Sequence, residues 1–208
     1  MSTLNDILEH KIVAILRGAN PADVLKISEA LYNGGIRILE ITMNSTNPLQ
    51  VIEELTARFG DKMVIGAGTV LDTQMAKDAV AAGAKFILSP IVDVDVIKAA
   101  KDLGVIAIPG AHTPTEIAHA YKNGGDIIKV FPATSPGYIK EILAPLNHIP
   151  LLPTGGINLE NIKQYLQAGA VGFGMGSALV NTKMQITDVY LVELTETAKK
   201  FVAAIAIS

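Results

Sequence analysis

Lys129 stands inside an apolar run, Asp126-Ile127-Ile128-Lys129-Val130-Phe131, that follows Gly124-Gly125 and is stopped by Pro132. Two glycines, a run of β-branched residues and a proline describe a short buried strand. Lysine is almost never fully buried unless something pairs with it or needs it. In apolar surroundings its charged form is disfavoured, so the amine can be kept neutral and nucleophilic. The plainer alternative is a strand-end lysine that reaches water or closes an ion pair. Glu40 lies in Ile36-Arg37-Ile38-Leu39-Glu40-Ile41-Thr42, where a period of two puts it on the face of Ile36 and Ile38, with Arg37 opposite. A carboxylate above an apolar core has its pKa raised toward general acid–base use. Its plainer task is to neutralise Lys129 or Arg17.

Two glycine-rich turns add an anion site. Thr154-Gly155-Gly156 and Gly174-Met175-Gly176-Ser177 each end an apolar segment. Glycine lets the backbone N–H groups approach a phosphate closely, and the Ser177 hydroxyl adds a donor. Either glycine pair alone reads equally well as a tight turn. Arg17 offers bidentate recognition of a carboxylate, unless it is only a surface residue opening a loop. Thr69, in Gly66-Ala67-Gly68-Thr69-Val70, brings a hydroxyl and backbone amides to the same carboxylate. His112 lies within reach of such a site. No histidine has the spacing of a metal pair with a third ligand, so no metal is expected.

The elements that must position these groups alternate. Strands are predicted over 12–16, 36–41, 63–67, 85–88, 105–108, 126–130, 150–152 and 170–174. Helices are predicted over 21–32, 48–59, 73–82, 94–103, 114–122, 138–143, 159–167 and 186–205. Proline or Asp/Thr/Asn marks the helix starts, and glycine closes several ends immediately before a strand. Continuous apolar strands separated by helices describe a parallel sheet with both faces covered. The strand ends recur every twenty-odd residues and number eight, which predicts an α/β fold of the (β/α)8 TIM-barrel type as one domain over 1–208. An open doubly wound sheet is the alternative, but Arg17-Gly18-Ala19-Asn20 after the first strand is not its glycine fingerprint. In a barrel, the chemistry sits at the C-terminal strand ends, where Arg17, Glu40, Thr69, Pro90, Lys129, Phe131 and both glycine turns converge.

Composition narrows the class. The 208 residues carry a net charge of -3, so no basic surface for nucleic acid or anionic lipid is expected. The absence of cysteine excludes disulfides and thiol catalysis. No apolar run reaches the ~18 residues of a membrane span. Met1–Asp6 shows no signal-peptide pattern, and a cytoplasmic location is the expectation. An apolar end, Phe201 to Ile207, leaves room for an interface.

Leu39-Glu40-Ile41-Thr42, Gly66-Ala67-Gly68-Thr69-Val70, Ser89-Pro90, Ile108-Pro109-Gly110, Lys129-Val130-Phe131-Pro132-Ala133 and Pro153-Thr154-Gly155-Gly156-Ile157 occur in order. As a set they resemble the 2-keto-3-deoxy-6-phosphogluconate aldolases, also called 2-keto-4-hydroxyglutarate aldolases, from Ile12 to about Leu179. The resemblance implies a class I pyruvate aldolase without metal or other cofactor, a homotrimer, acting on a phosphorylated 2-keto-3-deoxy sugar acid. By resemblance Lys129 forms the Schiff base and Glu40 shuttles protons. Thr69, Pro90 and Phe131 surround the pyruvate portion, while Gly155, Gly156, Gly176 and Ser177 hold the phosphate. A protonated imine is an electron sink, so C3–C4 cleavage leaves an enamine rather than a bare carbanion.

Two departures bear on the substrate. Many gluconate-type members have arginine after the glutamate strand, where this chain has Met43-Asn44-Ser45; its Arg17 resembles the 6-phosphogalactonate branch instead. Thr154 resembles the gluconate branch, and the balance favours the gluconate epimer. A phosphosugar isomerase or epimerase, with Glu40 as base, and a non-enzymatic phosphosugar-binding module are the competing readings.

Overall fold

The computed structural model describes residues 2–206. α1 (Thr3–His10) leads into β1 (Ile12–Leu16), α2 (Pro21–Asn33), β2 (Ile38–Thr42), α3 (Pro48–Phe59), β3 (Val64–Gly68) and α4 (Thr73–Ala81). Then come β4 (Phe86–Leu88), α5 (Val94–Asp102), β5 (Ile106–Ile108), β6 (Gly110–Ala111) and α6 (Pro114–Lys122). The chain closes with β7 (Ile128–Val130), α7 (Pro136–Leu143), β8 (Leu151–Pro153), α8 (Ile162–Gln167), β9 (Phe173–Met175) and α9 (Asp188–Ile205).

The helix starts follow the expected chemistry. Proline opens α2, α3, α6 and α7, where its missing N–H costs no hydrogen bond. Side chains of Asn20, Asp72, Asp93, Thr113, Ser135 and Thr187 accept from first-turn amides, and Thr113 with Glu116 makes a reciprocal capping box.

All strand pairs are parallel. One sheet runs β5-β4-β3-β2-β1-β9 and the other β6-β7-β8. β5 and β6 are one strand interrupted at Pro109, which has no N–H to give a ladder. At the other seam, Thr154 bridges Gly174, and the Val171 amide donates to the Leu151 carbonyl at 3.0 Å. The sheet therefore closes into eight parallel strands, with the first and last paired through Ile12↔Phe173. That pairing rules out the open doubly wound arrangement.

Closure creates two apolar layers. Outside, strand residues such as Ile12, Leu39, Ile65 and Leu151 meet the helices. Inside, Val13, Ile38, Phe86, Leu88, Ile108, Ile127 and Leu152 fill the barrel. α1, an element beyond the eight sequence-predicted helices, forms the floor and packs Ile7 into the interior cluster, flanked by Leu4 and Leu8. Three apolar residues at positions 4, 7 and 8 behind a Ser2 cap are the signal for this helix. Two expected placements change. Ile36 precedes β2 and packs in the outer layer, so only Ile38 shares the interior face with Glu40. Of the apolar end, Phe201 and Ile205 turn inward and are buried, and Ile207 lies outside the described residues.

The interior has little spare room beside β3. A Cβ at Gly66 would run into the Phe86 ring, which is itself fully buried. Gly66→Ala is therefore expected to lower stability by about 1–3 kcal/mol through overpacking, read from urea unfolding midpoints.

Candidate active site

Glu40 and Lys129 continue the interior rows toward the C-terminal mouth, each two residues beyond an interior apolar side chain, Ile38 and Ile127. Glu40 lies between Ile15 of β1 and Gly66 of β3, and Lys129 between Gly110 of β6 and Leu152 of β8. Period two thus turns both polar groups into the barrel, while Arg37 points out. Arg37 donates to the carbonyls of Tyr32 and Ile36 and lies 4.2 Å over the Tyr32 ring.

Both groups are buried, Glu40 at 0% and Lys129 at 4% exposure. Among the described residues neither carboxylate oxygen of Glu40 has a hydrogen-bond partner. Among the described residues the ion pairs are Lys101–Asp126 and Lys199–Glu196, so Glu40 and Lys129 do not form one. A direct ion pair between them is therefore not what the structure presents, although each charge still acts on the other. Room for the carboxylate comes from Gly68, where a Cβ would overlap the Glu40 side chain.

Burial pushes the Glu40 pKa up, against the opposing pull of the Lys129 and Arg17 charges. Burial also pushes the Lys129 pKa down; the Glu40 charge opposes this and the Arg17 charge adds to it. The consequence is a pair in which the amine sheds its proton easily and the carboxyl keeps one above its usual range. An amine of this kind can attack a carbonyl carbon, and a carboxyl whose pKa is raised is better suited to passing a proton back and forth than an ordinary one.

Linkage makes these shifts visible in stability. The folded state holds the Glu40 proton more tightly than the unfolded chain, so stability falls as pH rises from about 4.5 to the raised folded value. Glu40→Gln removes that loss. The variant is expected to gain stability relative to the parent across this window, measured as the Tm difference in a pH series. For Lys129 the depressed folded pKa acts in the other window: stability rises with pH from the lowered value toward 10.5.

The neighbouring groups sit around this pair. Phe131, 44% exposed, places its ring centroid 5.0 Å from Lys129 Nζ. The same ring meets Gly155, where a Cβ would lie 3.4 Å from its edge. Phe131 is thus in contact with the first glycine turn and close to the amine. Gly155 and Gly156 both have positive φ, 89° and 72°, a run that side chains would strain. Gly176 opens a turn closed by the Leu179 and Val180 amides on its carbonyl, at 2.9 Å each, and Ser177 is exposed on it. The first amides of such a turn lack internal partners and suit an anion. Thr154 is buried beside Gly174, its hydroxyl 3.5 Å from the Leu152 carbonyl. The Pro90 backbone abuts Gly110, so the β4 end is held against β6.

Arg17 reaches over from β1. Its guanidinium donates to Asn44 Oδ1 and Thr69 Oγ1, both at 3.3 Å. Thr69 holds a positive φ of 57°, uncommon for a β-branched residue and a common mark of a functional turn. The His112 ring stacks on Tyr138 of α7 at 5.2 Å, and its carbonyl accepts from the Tyr138 hydroxyl at 2.8 Å. Asn44, Ser45 and Thr182 bond to Arg17 or its peptide; the sequence marks Asn44 and Ser45 only as the place where gluconate-type members carry arginine, and Thr182 not at all.

Known proteins share this architecture. The chain is similar to the 2-dehydro-3-deoxy-6-phosphogalactonate aldolase of Escherichia coli K12, 36% identical over 171 residues, covering 81% of this chain and 83% of that one. It is 34% identical over 179 residues to the 2-dehydro-3-deoxy-phosphogluconate aldolase of Haemophilus influenzae, covering 85% and 84%. A solved structure of the KDPG aldolase from Legionella pneumophila, with pyruvate captured as a covalent carbinolamine intermediate, superposes with a TM-score of 0.84. That pair is 28% identical and covers 95% of this chain and 97% of the other. The family model described as "Aldolase: KDPG and KHG aldolase" matches residues 4–194. With a buried amine and carboxyl at the mouth of a closed eight-stranded barrel, and a family match spanning nearly the whole chain, this protein belongs to the KDPG and KHG aldolases.

Proposed function

We propose that the chain is a class I aldolase that reversibly cleaves 2-keto-3-deoxy-6-phosphogluconate to pyruvate and glyceraldehyde 3-phosphate, with 4-hydroxy-2-oxoglutarate as a further substrate. The observation that carries this reading is the pair itself: a buried amine and a buried carboxyl share one mouth without closing an ion pair. Lys129 Nζ attacks the C2 carbonyl carbon, and loss of water from the carbinolamine gives a protonated imine. Glu40 takes the C4 hydroxyl proton, the C3–C4 electron pair moves into the imine, and the aldehyde departs. The enamine is then protonated at C3 with the proton that Glu40 returns, and hydrolysis frees pyruvate and Lys129.

Arg17 and Thr69 take the keto-acid carboxylate, Pro90 and Phe131 flank the three-carbon unit, and Gly155, Gly156, Gly176 and Ser177 take the phosphate. The family likeness supports a homotrimer, which sedimentation velocity tests, and a cytoplasmic location.

Thr154, beside the mouth and buried, supports the gluconate epimer. A mismatched hydroxyl there leaves a polar group unpaired, worth about 1–3 kcal/mol or roughly 5- to 150-fold in kcat/KM. The galactonate epimer is the second reading, favoured by Arg17 in its hydrogen-bonded position and by the similarity to the E. coli galactonate aldolase. Coupled pyruvate assays on the two epimers decide between them: faster cleavage of the gluconate is expected, and faster cleavage of the galactonate reverses the assignment. Isomerisation without pyruvate release would overturn the aldolase reading altogether.

A further inference from the structure

The peptide that joins Arg17 to Gly18 is held at both ends by side chains from other parts of the barrel. Its carbonyl, that of Arg17, accepts from Thr182 Oγ1 at 2.7 Å. Its N–H, that of Gly18, donates to Ser45 Oγ at 2.9 Å. Thr182 lies on the β9–α9 connection and Ser45 on the β2–α3 connection, so two loops fix one peptide plane. Gly18 has φ +64° with open space around it, so glycine serves the turn here and does not make room.

The Ser45 contact belongs to a short chain of hydroxyls. Ser45 Oγ accepts from Gly18 and shares a hydrogen bond with Thr42 Oγ1 at 2.7 Å; the Thr42 hydroxyl in turn lies 3.5 Å from the Leu16 carbonyl. Thr42 is fully buried, so this chain of hydroxyls is screened from water at its inner end. At the outer end, the Arg17 guanidinium is oriented by two neutral acceptors, Asn44 and Thr69. Among the described residues no carboxylate pairs with Arg17, so its charge stays available to an anion while its direction is set.

We propose that Ser45 and Thr182 are positioning residues that aim Arg17 at the carboxylate of the keto acid, setting the site's affinity for that group. This rests on the reading that Arg17 binds the carboxylate. A long arginine side chain loses its bidentate alignment when its backbone shifts slightly, and a misplacement of about 1 Å can cost a reaction up to about a hundredfold. The effect should fall on the carboxylate, because Ser45 lies on a connection that carries no phosphate-binding group and Thr182 meets Arg17 from beyond the Gly176 turn, which the Leu179 and Val180 amides close on their own.

The test is steady-state kinetics in the condensation direction, where the carboxylate and the phosphate arrive on separate molecules. Ser45→Ala and Thr182→Val are each expected to raise KM for pyruvate about tenfold, with KM for glyceraldehyde 3-phosphate unchanged within about twofold. Thr182→Ser, which keeps the hydroxyl, is expected to restore the parent value. A pyruvate KM unchanged in both single variants and in the double variant overturns the proposal. An equal rise in both KM values also overturns it, since that marks a general loosening of the mouth. Arg17→Met separates the two levels. If it raises the pyruvate KM while the hydroxyl variants do not, the positioning role alone fails. If Arg17→Met leaves pyruvate binding unchanged, the carboxylate reading fails and the positioning role with it.

Discussion

Lys129→Ala is expected to eliminate pyruvate release from the phosphorylated keto acid, with kcat/KM falling by at least about a thousandfold. The size of the effect follows from the chemistry: without the amine there is no imine, and C3–C4 cleavage would have to leave an unstabilised carbanion. Folding should survive. Lys129 is 4% exposed and its charged form is disfavoured by burial, so the native state loses no ion pair when the amine is removed. Lys129→Met, which keeps most of the side-chain volume, is expected to unfold at a Tm equal to or above that of the parent at neutral pH. Inactivity with an intact thermal transition assigns the loss to chemistry. Residual cleavage within tenfold of the parent would contradict the imine.

Glu40→Gln should produce the second large effect, a fall in kcat of about 10²- to 10⁴-fold, the range that general acid–base groups supply. Glutamine retains the shape that Gly68 accommodates but can neither take the C4 hydroxyl proton nor return one to the enamine. Imine formation, carried by Lys129, should persist. Exchange of the pyruvate methyl protons in D2O separates the two roles, because it requires the imine and then a proton shuttle. The exchange rate is expected to drop with kcat in Glu40→Gln and to vanish in Lys129→Ala. Undiminished exchange in Glu40→Gln would move the proton transfer to another group.

Much of this site is written in local sequence. Lys129 is conspicuous because the residues around it, Ile127, Ile128 and Val130, are all fully buried apolar side chains. Glu40 is conspicuous for the same reason, and period two correctly aims it inward with Ile38 and leaves Arg37 outside. The closed barrel follows from the count and pitch of apolar strands, which local hydropathy reports directly. What local pattern cannot report is contact between distant segments. Thr182 and Arg17 are 165 positions apart, and a threonine in a loop carries no mark of its partner. The strand break at Pro109 hides the continuation of β5 into β6, since proline reads as an end. Ile36 looks like the first strand residue, yet the chain still follows the turn at Gly34-Gly35, and its side chain reaches the outer layer. α1 is only eight residues long, too short for its periodicity to stand out, and it forms because its apolar face closes the floor of the barrel.

The imine is most directly tested by reducing the protein with borohydride in the presence of pyruvate and mapping the product by peptide mass spectrometry. One reduced pyruvate adduct is expected, on the peptide carrying Lys129, with loss of cleavage activity in proportion to its formation. Full reduction conditions that leave Lys129 unmodified and cleavage intact would contradict the account.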